Sequence, residues 1–372
     1  MELSHRVDAA IDRAIDEARI VGTVVMVWRN GAPVYERAAG FADREAGKPV
    51  SLDTIFRYAS VTKPFVAAAA LAMADAGKIS LDDHVSDRLP WFHPPGPDGR
   101  QAEITIRQLL THTAGLTYRP GAGILSVHDS ITVGIENTEL TLEDNFSRHN
   151  TVPLAYKPGT AWEYSIAIDI LGAVLAQAEG SSVEEALNRY VLRPLGISDT
   201  TFCVTDRDRV AVPYFNADPV PQPMGEPQRV AFAPDRIYTF SPARIFNPHA
   251  FQGGGGGMAG TAGDVIRLLE MVRKGGDGVL KAETVQAAIR NQIGDLNVRP
   301  GVKFGFLGAV TEDAALDNSP LPDGAVSWGG VYGNRWCFDP ETGTVAVAMT
   351  NTAPEGCDGA FPFDVWRAVF DR

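Results

Sequence analysis

Several common functional signatures are missing from this chain. Three cysteines in 372 residues, Cys203, Cys337 and Cys357, are too few and too scattered for a disulfide framework or a zinc site. The seven histidines form no His-Glu-x-x-His or other paired spacing, so no metal site is expected. No run approaches the roughly 18 consecutive apolar residues of a membrane span. The opening Met1-Glu2-Leu3-Ser4-His5-Arg6-Val7-Asp8 lacks the basic and apolar pattern of a secretory signal. Basic residues are in deficit: 33 Lys and Arg against 46 Asp and Glu leave a formal charge of −13, which argues against nucleic acid or an anionic membrane as partner. Gly-x-Ser-x-Gly, the nucleophile turn of α/β-hydrolases, does not occur. These absences predict a cytoplasmic protein without metal or cofactor.

What is present suits a large folded enzyme, with 45% hydrophobic and 21% charged residues, and a length that allows two domains or one large one. Residues from about Leu3 to Ala18 read as an amphipathic helix, followed by a strand over Gly22–Trp28. Asn30-Gly31 supplies the left-handed dihedrals of a tight hairpin returning through Val34–Ala38. Helical periodicity recurs over Ile168–Ala178, Val183–Leu192 and Gly263–Val272, and a closing helix is expected from about Phe363 to Phe370. Trp336-Cys337-Phe338 and Thr344–Thr350 read as strands joined by the turn Asp339-Pro340-Glu341-Thr342-Gly343. Two stretches rich in Pro, Asn, Asp and Gly, about 119–150 and 203–250, look like long loops, which in compact domains are usually pocket walls or lids. Strands at both ends with helices between them imply an α+β fold. Its antiparallel sheet is flanked by helices and built from 1–80 and 255–372, with a mainly helical domain inserted over 81–254.

Ser60-Val61-Thr62-Lys63 carries the first chemical signal. It places a hydroxyl and an amine three residues apart at the start of the apolar run Pro64-Phe65-Val66-Ala67-Ala68-Ala69-Ala70, which ends near Gly77. Positions i and i+3 share a helix face, so Lys63 reaches the Ser60 hydroxyl. A serine needs such a basic neighbour to attack at neutral pH. By itself the tetrapeptide fits equally an N-cap serine followed by a solvated lysine. Tyr164, at the loop-helix junction Pro158-Gly159-Thr160-Ala161-Trp162-Glu163-Tyr164-Ser165, either points its phenol into a cleft or half-buries it in the core. Ser327-Trp328-Gly329-Gly330-Val331-Tyr332-Gly333 is either a glycine bulge packed on Trp328 or an edge strand that lets a ligand approach its backbone.

The three elements occur in the order found in the serine-reactive penicillin-recognising enzymes, and the chain resembles that family, class C β-lactamases and family VIII carboxylesterases in particular. The resemblance extends through Phe56-Arg57-Tyr58-Ala59 ahead of Ser60, Ile79-Ser80-Leu81-Asp82-Asp83, Leu109–Leu116 and Gly254-Gly255-Gly256-Gly257-Met258. It implies the β-lactamase/transpeptidase-like fold, with Ser60 as nucleophile and Lys63 with Tyr164 as the base system. It further implies the backbone N–H groups of Ser60 and Val331 as oxyanion hole, and Tyr118, Trp328, Gly329 and Gly330 against the substrate. Two departures discriminate within the family. Where β-lactamases carry Tyr-x-Asn this chain reads Tyr164-Ser165-Ile166, and where they carry Lys-Thr-Gly it reads Trp328-Gly329-Gly330. An indole offers one N–H and no charge, so both losses favour a neutral ester over a lactam carboxylate. The triplet itself is similar to that of family VIII esterases.

The implied activity is hydrolysis of short-chain carboxylic esters through an acyl-enzyme. A β-lactamase, D-aminopeptidase, oligomer hydrolase or acyltransferase of the same fold is the alternative, and a non-catalytic binding scaffold the third reading. Lowering a phenol from about 10 to about 7 takes about 4 kcal/mol. One ammonium about 4 Å away, at an effective dielectric of about 20, supplies about that much. Tyr164 is therefore expected as the proximal base with Lys63 as its electrostatic support; a neutral Lys63 beside a protonated Tyr164 carries the same number of protons. Asp169 reads as a solvated or capping residue, or else as a support of the site. His112 reads as a hydrogen-bonded structural residue, and Asp82-Asp83-His84 as part of a structural turn. Gly255-x-Gly257-x-x-Gly260 lacks the preceding strand of a dinucleotide site.

Overall fold

A computed structural model describes residues 2–118, 131–234 and 236–371. Its centre is an eight-stranded sheet. Strands β1 (Gly22–Arg29) and β2 (Ala32–Asp43) form the expected hairpin, with Asn30 at φ 51° and Gly31 at φ 85°. The short β3 (Lys48–Pro49) closes one edge. The remaining five strands come from the other end of the chain: β4 (Val302–Phe304), β5 (Ala309–Thr311), β6 (Val326–Gly330), β7 (Asn334–Asp339) and β8 (Thr344–Thr350). Their spatial order is β4-β5-β6-β7-β8-β1-β2-β3, antiparallel at every pair. Residues 81–254 contribute no described strand to it.

Alternation along the central strands assigns each sheet face to its own core, because successive side chains point to opposite sides. Val24 and Met26 of β1, Trp336 and Phe338 of β7, and Val345, Val347 and Met349 of β8 enter one cluster. Val25, Val27, Cys337, Ala346 and Ala348 enter the other. With both faces covered, the strands read as near-continuous apolar runs rather than an apolar-polar alternation. The smaller cluster is covered by the first and last long helices. In α1 (Leu3–Asp16) the buried residues are Val7, Ala10, Ile11 and Ala14, spaced as one helical face. The larger cluster holds α2 (Thr62–Asp75), α3 (Ala167–Glu179) and α4 (Ala262–Arg273). Every residue of α2 from Thr62 to Met73 is buried, so this helix is apolar all round and runs through the interior.

Helix α5 (Ala360–Phe370) starts three residues before its expected position, because Pro362 falls in the first turn, where a missing N–H costs nothing. The expected helix over Val183–Leu192 is an α-helix only to Leu187 and continues as one π-helical turn. The two long loops are also more ordered than expected. Of the first, residues 119–130 lie outside the described residues, and the remainder includes a short helix, Leu142–Phe146. The second contains a hairpin of Gln228–Ala233 and Arg236–Phe240, whose Val230 and Phe240 are buried against Ala59, Ile135 and Tyr332. No helix among the described residues is long and apolar enough to cross a membrane.

Trp366, on α5, is 1% exposed and belongs to the smaller cluster. Trp366→Ala should therefore lower the unfolding free energy by about 3–5 kcal/mol in urea denaturation. A loss below about 1 kcal/mol would contradict this packing of α5 on the sheet.

Candidate active site

Ser60 sits in a single 3-10 turn, Ala59–Val61, that leads directly into α2. Ala59 before it has φ 45°, a left-handed conformation that is costly for a residue with a Cβ. The surrounding contacts hold it there. The Tyr58 phenol donates to the Thr261 carbonyl at 2.7 Å, and the Arg57 guanidinium donates to the carbonyls of Pro242 and Ala211. The Asn334 amide donates to the Arg57 carbonyl at 2.7 Å. Ser60, half-buried, is the middle residue of this strained turn.

Three distant segments converge on the Ser60 hydroxyl. Lys63 Nζ lies 3.1 Å from Oγ, one turn on, as the i, i+3 spacing requires. The Tyr164 hydroxyl lies 2.6 Å from Oγ. Trp328, on β6, aims its Nε1–H at the Tyr164 oxygen at 3.4 Å and packs on that ring with centroids 5.0 Å apart. Tyr118 goes beyond lining the pocket: its hydroxyl accepts from Lys63 Nζ at 3.2 Å, and its ring lies 5.2 Å from that of Tyr164. The fully buried His112 packs its ring 4.9 Å from Tyr164, with Nδ1 3.1 Å from the Ser165 hydroxyl, as a structural residue should.

The strand carrying Trp328-Gly329-Gly330 is not the edge strand expected. It lies between β5 and β7, but β5 pairs only with Val326 and Ser327, so the strand is unpaired on that side from Trp328 onward. This free end meets the Ser60 turn. A Cβ at Gly330 would stand 2.0 Å from the Tyr58 carbonyl oxygen and 3.3 Å from the Ser60 nitrogen, so only glycine fits. A Cβ at Gly329 would meet the Arg335 side chain at 3.1 Å. Val331 follows immediately, and its N–H meets no acceptor among the described residues.

Two further groups join the site from outside the three motifs, and for Asp169 it is the site-supporting one of its two readings that fits. The shortest contact of Lys63 is to the Gly255 carbonyl, at 2.5 Å. Asp169 is neither solvated nor a cap. It is fully buried, and its Oδ1 accepts the Gly255 N–H at 2.9 Å. The one sequence signal for either was the run Gly253–Gly257. A Cβ at Gly255 would lie 2.2 Å from Asp169 Oδ2, and one at Gly254 2.5 Å from the Ile168 carbonyl.

Burial acts against the division of labour expected of the base pair. Burial of the Tyr164 phenol is the largest influence on it and pushes its pKa up, opposed by its hydrogen bonds with Ser60 and Trp328. Burial pulls the Lys63 amine down to about 7, against the pull of Asp169 upward. Comparing the ammonium with a phenol in a uniform dielectric omitted this desolvation, which disfavours both charged forms. A neutral Lys63 beside a protonated Tyr164 is the arrangement burial selects. Its hydrogen bonds close: neutral Lys63 accepts the Ser60 proton and donates to Gly255 and Tyr118, while Tyr164 donates to Ser60 and accepts from Trp328.

A serine held by lysine and tyrosine on this α+β frame defines a serine hydrolase of the β-lactamase/transpeptidase fold. The chain belongs to the beta-lactamase family, which matches residues 7–367. Among its relatives, the esterase EstB of Burkholderia gladioli is 41% identical over 376 residues, covering 100% of this chain and 96% of that protein. The structure of EstCE1, described as a hydrolase with promiscuous acyltransferase activity, superposes with a TM-score of 0.94 at 40% identity, covering 99% of this chain and 98% of the other. Simvastatin synthase (LovD) from Aspergillus terreus shares the fold, with a TM-score of 0.77 at 22% identity over 100% of this chain and 98% of that one.

The Lys63 shift carries a sign. Between about 7 and the unfolded value of about 10.4 the unfolded chain holds a proton that the folded chain lacks, so folding stability rises with pH across that window. Below it both forms are protonated, and the full cost of the buried charge applies. Lys63→Met should flatten the rise in unfolding free energy between pH 7 and 10 and leave the protein at least as stable at pH 7. An unchanged pH slope in the variant would refute the assignment.

Proposed function

We propose that this protein is a serine carboxylesterase, hydrolysing short-chain carboxylic esters through an acyl-enzyme on Ser60. The observation that carries the reading is the Ser60 hydroxyl held between Lys63 and Tyr164, with the uncharged Trp328 completing the site where β-lactamases place a cation. Similarity to EstB and EstCE1 supports the same activity. Neutral Lys63 takes the Ser60 proton as Oγ attacks the ester carbonyl. Tyr164, bonded to the same oxygen, is placed to deliver a proton to the departing alkoxide and to recover one from Lys63. The N–H groups of Ser60 and Val331 receive the developing oxyanion, an electrostatic contribution commonly worth a few kcal/mol. Water then enters by the reverse sequence and frees the acid. The ester is a small neutral molecule. Among the described residues the one cation within hydrogen-bond reach of Ser60 is Lys63, and the buried Arg57 and Arg244 donate to backbone carbonyls.

Within this reading the chain is a family VIII carboxylesterase, which the triplet Trp328-Gly329-Gly330 supports. Three free thiols, Cys203, Cys337 and Cys357, suit the reducing cytoplasm. A second reading, acyl transfer to an alcohol in place of water, is favoured by the likeness to EstCE1.

The test compares kcat/KM for p-nitrophenyl butyrate and a chromogenic cephalosporin. The ester should be preferred by about a hundredfold or more, equivalent to about 3 kcal/mol in the transition state. A cephalosporin preference would sink the esterase reading. Ser60→Ala should abolish both turnover and labelling by a fluorophosphonate. Lys63→Ala should cost at least about a thousandfold in kcat, and Tyr164→Phe about a hundredfold or more, within the span usual for a lost acid-base group. If Tyr164→Phe proves the more damaging of the two, the phenol is the proximal base.

A further inference from the structure

The carboxylate of Asp169 is used by none of the steps above, yet a single residue, Gly255, separates it from the lysine amine. It occupies the first turn of α3, fully buried, with Oδ1 on the Gly255 N–H and Oδ2 without a hydrogen-bond partner among the described residues. Its position demands special backbone: a Cβ at Gly253 would come within 3.1 Å of Oδ1, and one at Gly255 within 2.2 Å of Oδ2. Gly255 sits between carboxylate and amine: its N–H, in the peptide with Gly254, donates to Asp169, and its carbonyl, in the peptide with Gly256, accepts from Lys63 Nζ at 2.5 Å. The carboxylate thus anchors the residue whose carbonyl faces the amine.

We infer that Asp169 is a positioning residue for the catalytic amine: it aims the Gly255 carbonyl at Lys63 and sets a buried negative charge behind it. The inference rests on the acyl-enzyme reading of Ser60 and Lys63. Chemically, Asp169 keeps Lys63 basic enough to take the serine proton although burial would strip the amine of proton affinity. Burial pushes the Asp169 pKa up, opposed by Lys63, the Gly255 N–H and Arg244; Asp169 and Lys63 each favour the charged form of the other, and the ionised carboxylate disfavours ionisation of Tyr118 and Tyr164. Asp169 therefore makes lysine, rather than either phenol, the group that carries charge when the serine proton moves. The titratable and charged groups facing this centre are Lys63 from α2, His112 and Tyr118 from the 112–118 segment, and Tyr164 from the lead into α3. Arg244 completes the set from the turn Pro242–Phe246, while Tyr238 and Cys357 act on the two tyrosines. Arg244 is spent on the carbonyls of Glu136, Gly257 and Phe251, which leaves Asp169 without an ion-pair partner of its own.

The experiment measures the rate of Ser60 labelling by a fluorophosphonate against pH, a readout that needs the serine and its base but no particular ester. In the wild type the rate should rise through pH of about 7. Asp169→Asn keeps an oxygen for the Gly255 N–H but removes the charge. It should move that limb about one pH unit or more downward and reduce the plateau about tenfold or more, since a weaker base takes the proton less readily. Gly255→Ala, whose methyl would push the Asp169 carboxylate away while Ser60, Lys63 and Tyr164 keep their side chains, should shift the limb in the same direction. Folded variants whose limb stays within about 0.3 of a pH unit of the wild type would overturn the inference. If both variants fail to fold, Asp169 is a stability residue and the inference is likewise overturned. A wild type that does not label at all would instead refute the hydrolase reading, so the two failures are distinguishable.

Discussion

A lysine amine buried beside a serine hydroxyl is the constraint on which the rest of the structure depends. Lys63 is 4% exposed in a helix that is apolar on every side. An ammonium there loses its hydration, and the protein replaces it with three oxygens at fixed places, from Ser60, Tyr118 and Gly255. Each replacement imposes a local demand. The serine needs a tight turn ahead of the helix, the phenol needs an aromatic wall, and the peptide carbonyl needs a chain so close that side chains are excluded. The alanines of α2 follow from the same requirement, because a helix passing through the interior must bring its backbone near several neighbours.

The burial that lowers the amine to about 7 also withholds stability. A buried ionisable group favours the unfolded chain wherever that chain can protonate it. The left-handed Ala59 works in the same direction, as local strain kept in place by the Tyr58 and Arg57 anchors. Catalytic competence and stability pull apart at these two positions, and the two-sided sheet core offsets the cost. The sheet has a second task. Its strand β6 outruns its neighbour β5, and the unpaired end brings glycine backbone and one indole against the nucleophile turn.

Much of this was legible beforehand. The Asn30-Gly31 hairpin, the apolar strands near both ends and the Ser60–Lys63 spacing all rest on local rules of dihedral preference and periodicity. Tyr164 and Trp328 were legible only as members of a set, through the order of three motifs. The remainder depends on contacts between segments distant in sequence. Asp169, which could be a capping residue on any exposed helix, is buried because residues 253–257 lie across it. Gly255 acts through a carbonyl, and every residue has one. The hairpin over 228–240 was hidden because its short alternation, Val230 and Phe232 then Tyr238 and Phe240, sits among the prolines and glycines that mark a loop. Its burial against Ala59 and Tyr332 decides the matter.

By itself, the sequence determined the class of chemistry: a serine with an amine one helical turn away, a phenol and an indole in place of a cation, on an α+β frame. These follow from side-chain identity and short-range geometry. The proton inventory of the site was decided only by the tertiary structure. Which of lysine and tyrosine is neutral depends on desolvation and on the charges that the fold brings near. Asp169 and Gly255 reach Lys63 across 106 and 192 positions of chain, a proximity that local pattern does not encode. Low dielectric and long-range packing are properties of the folded molecule, and in this site they lower the proton affinity of a helical lysine.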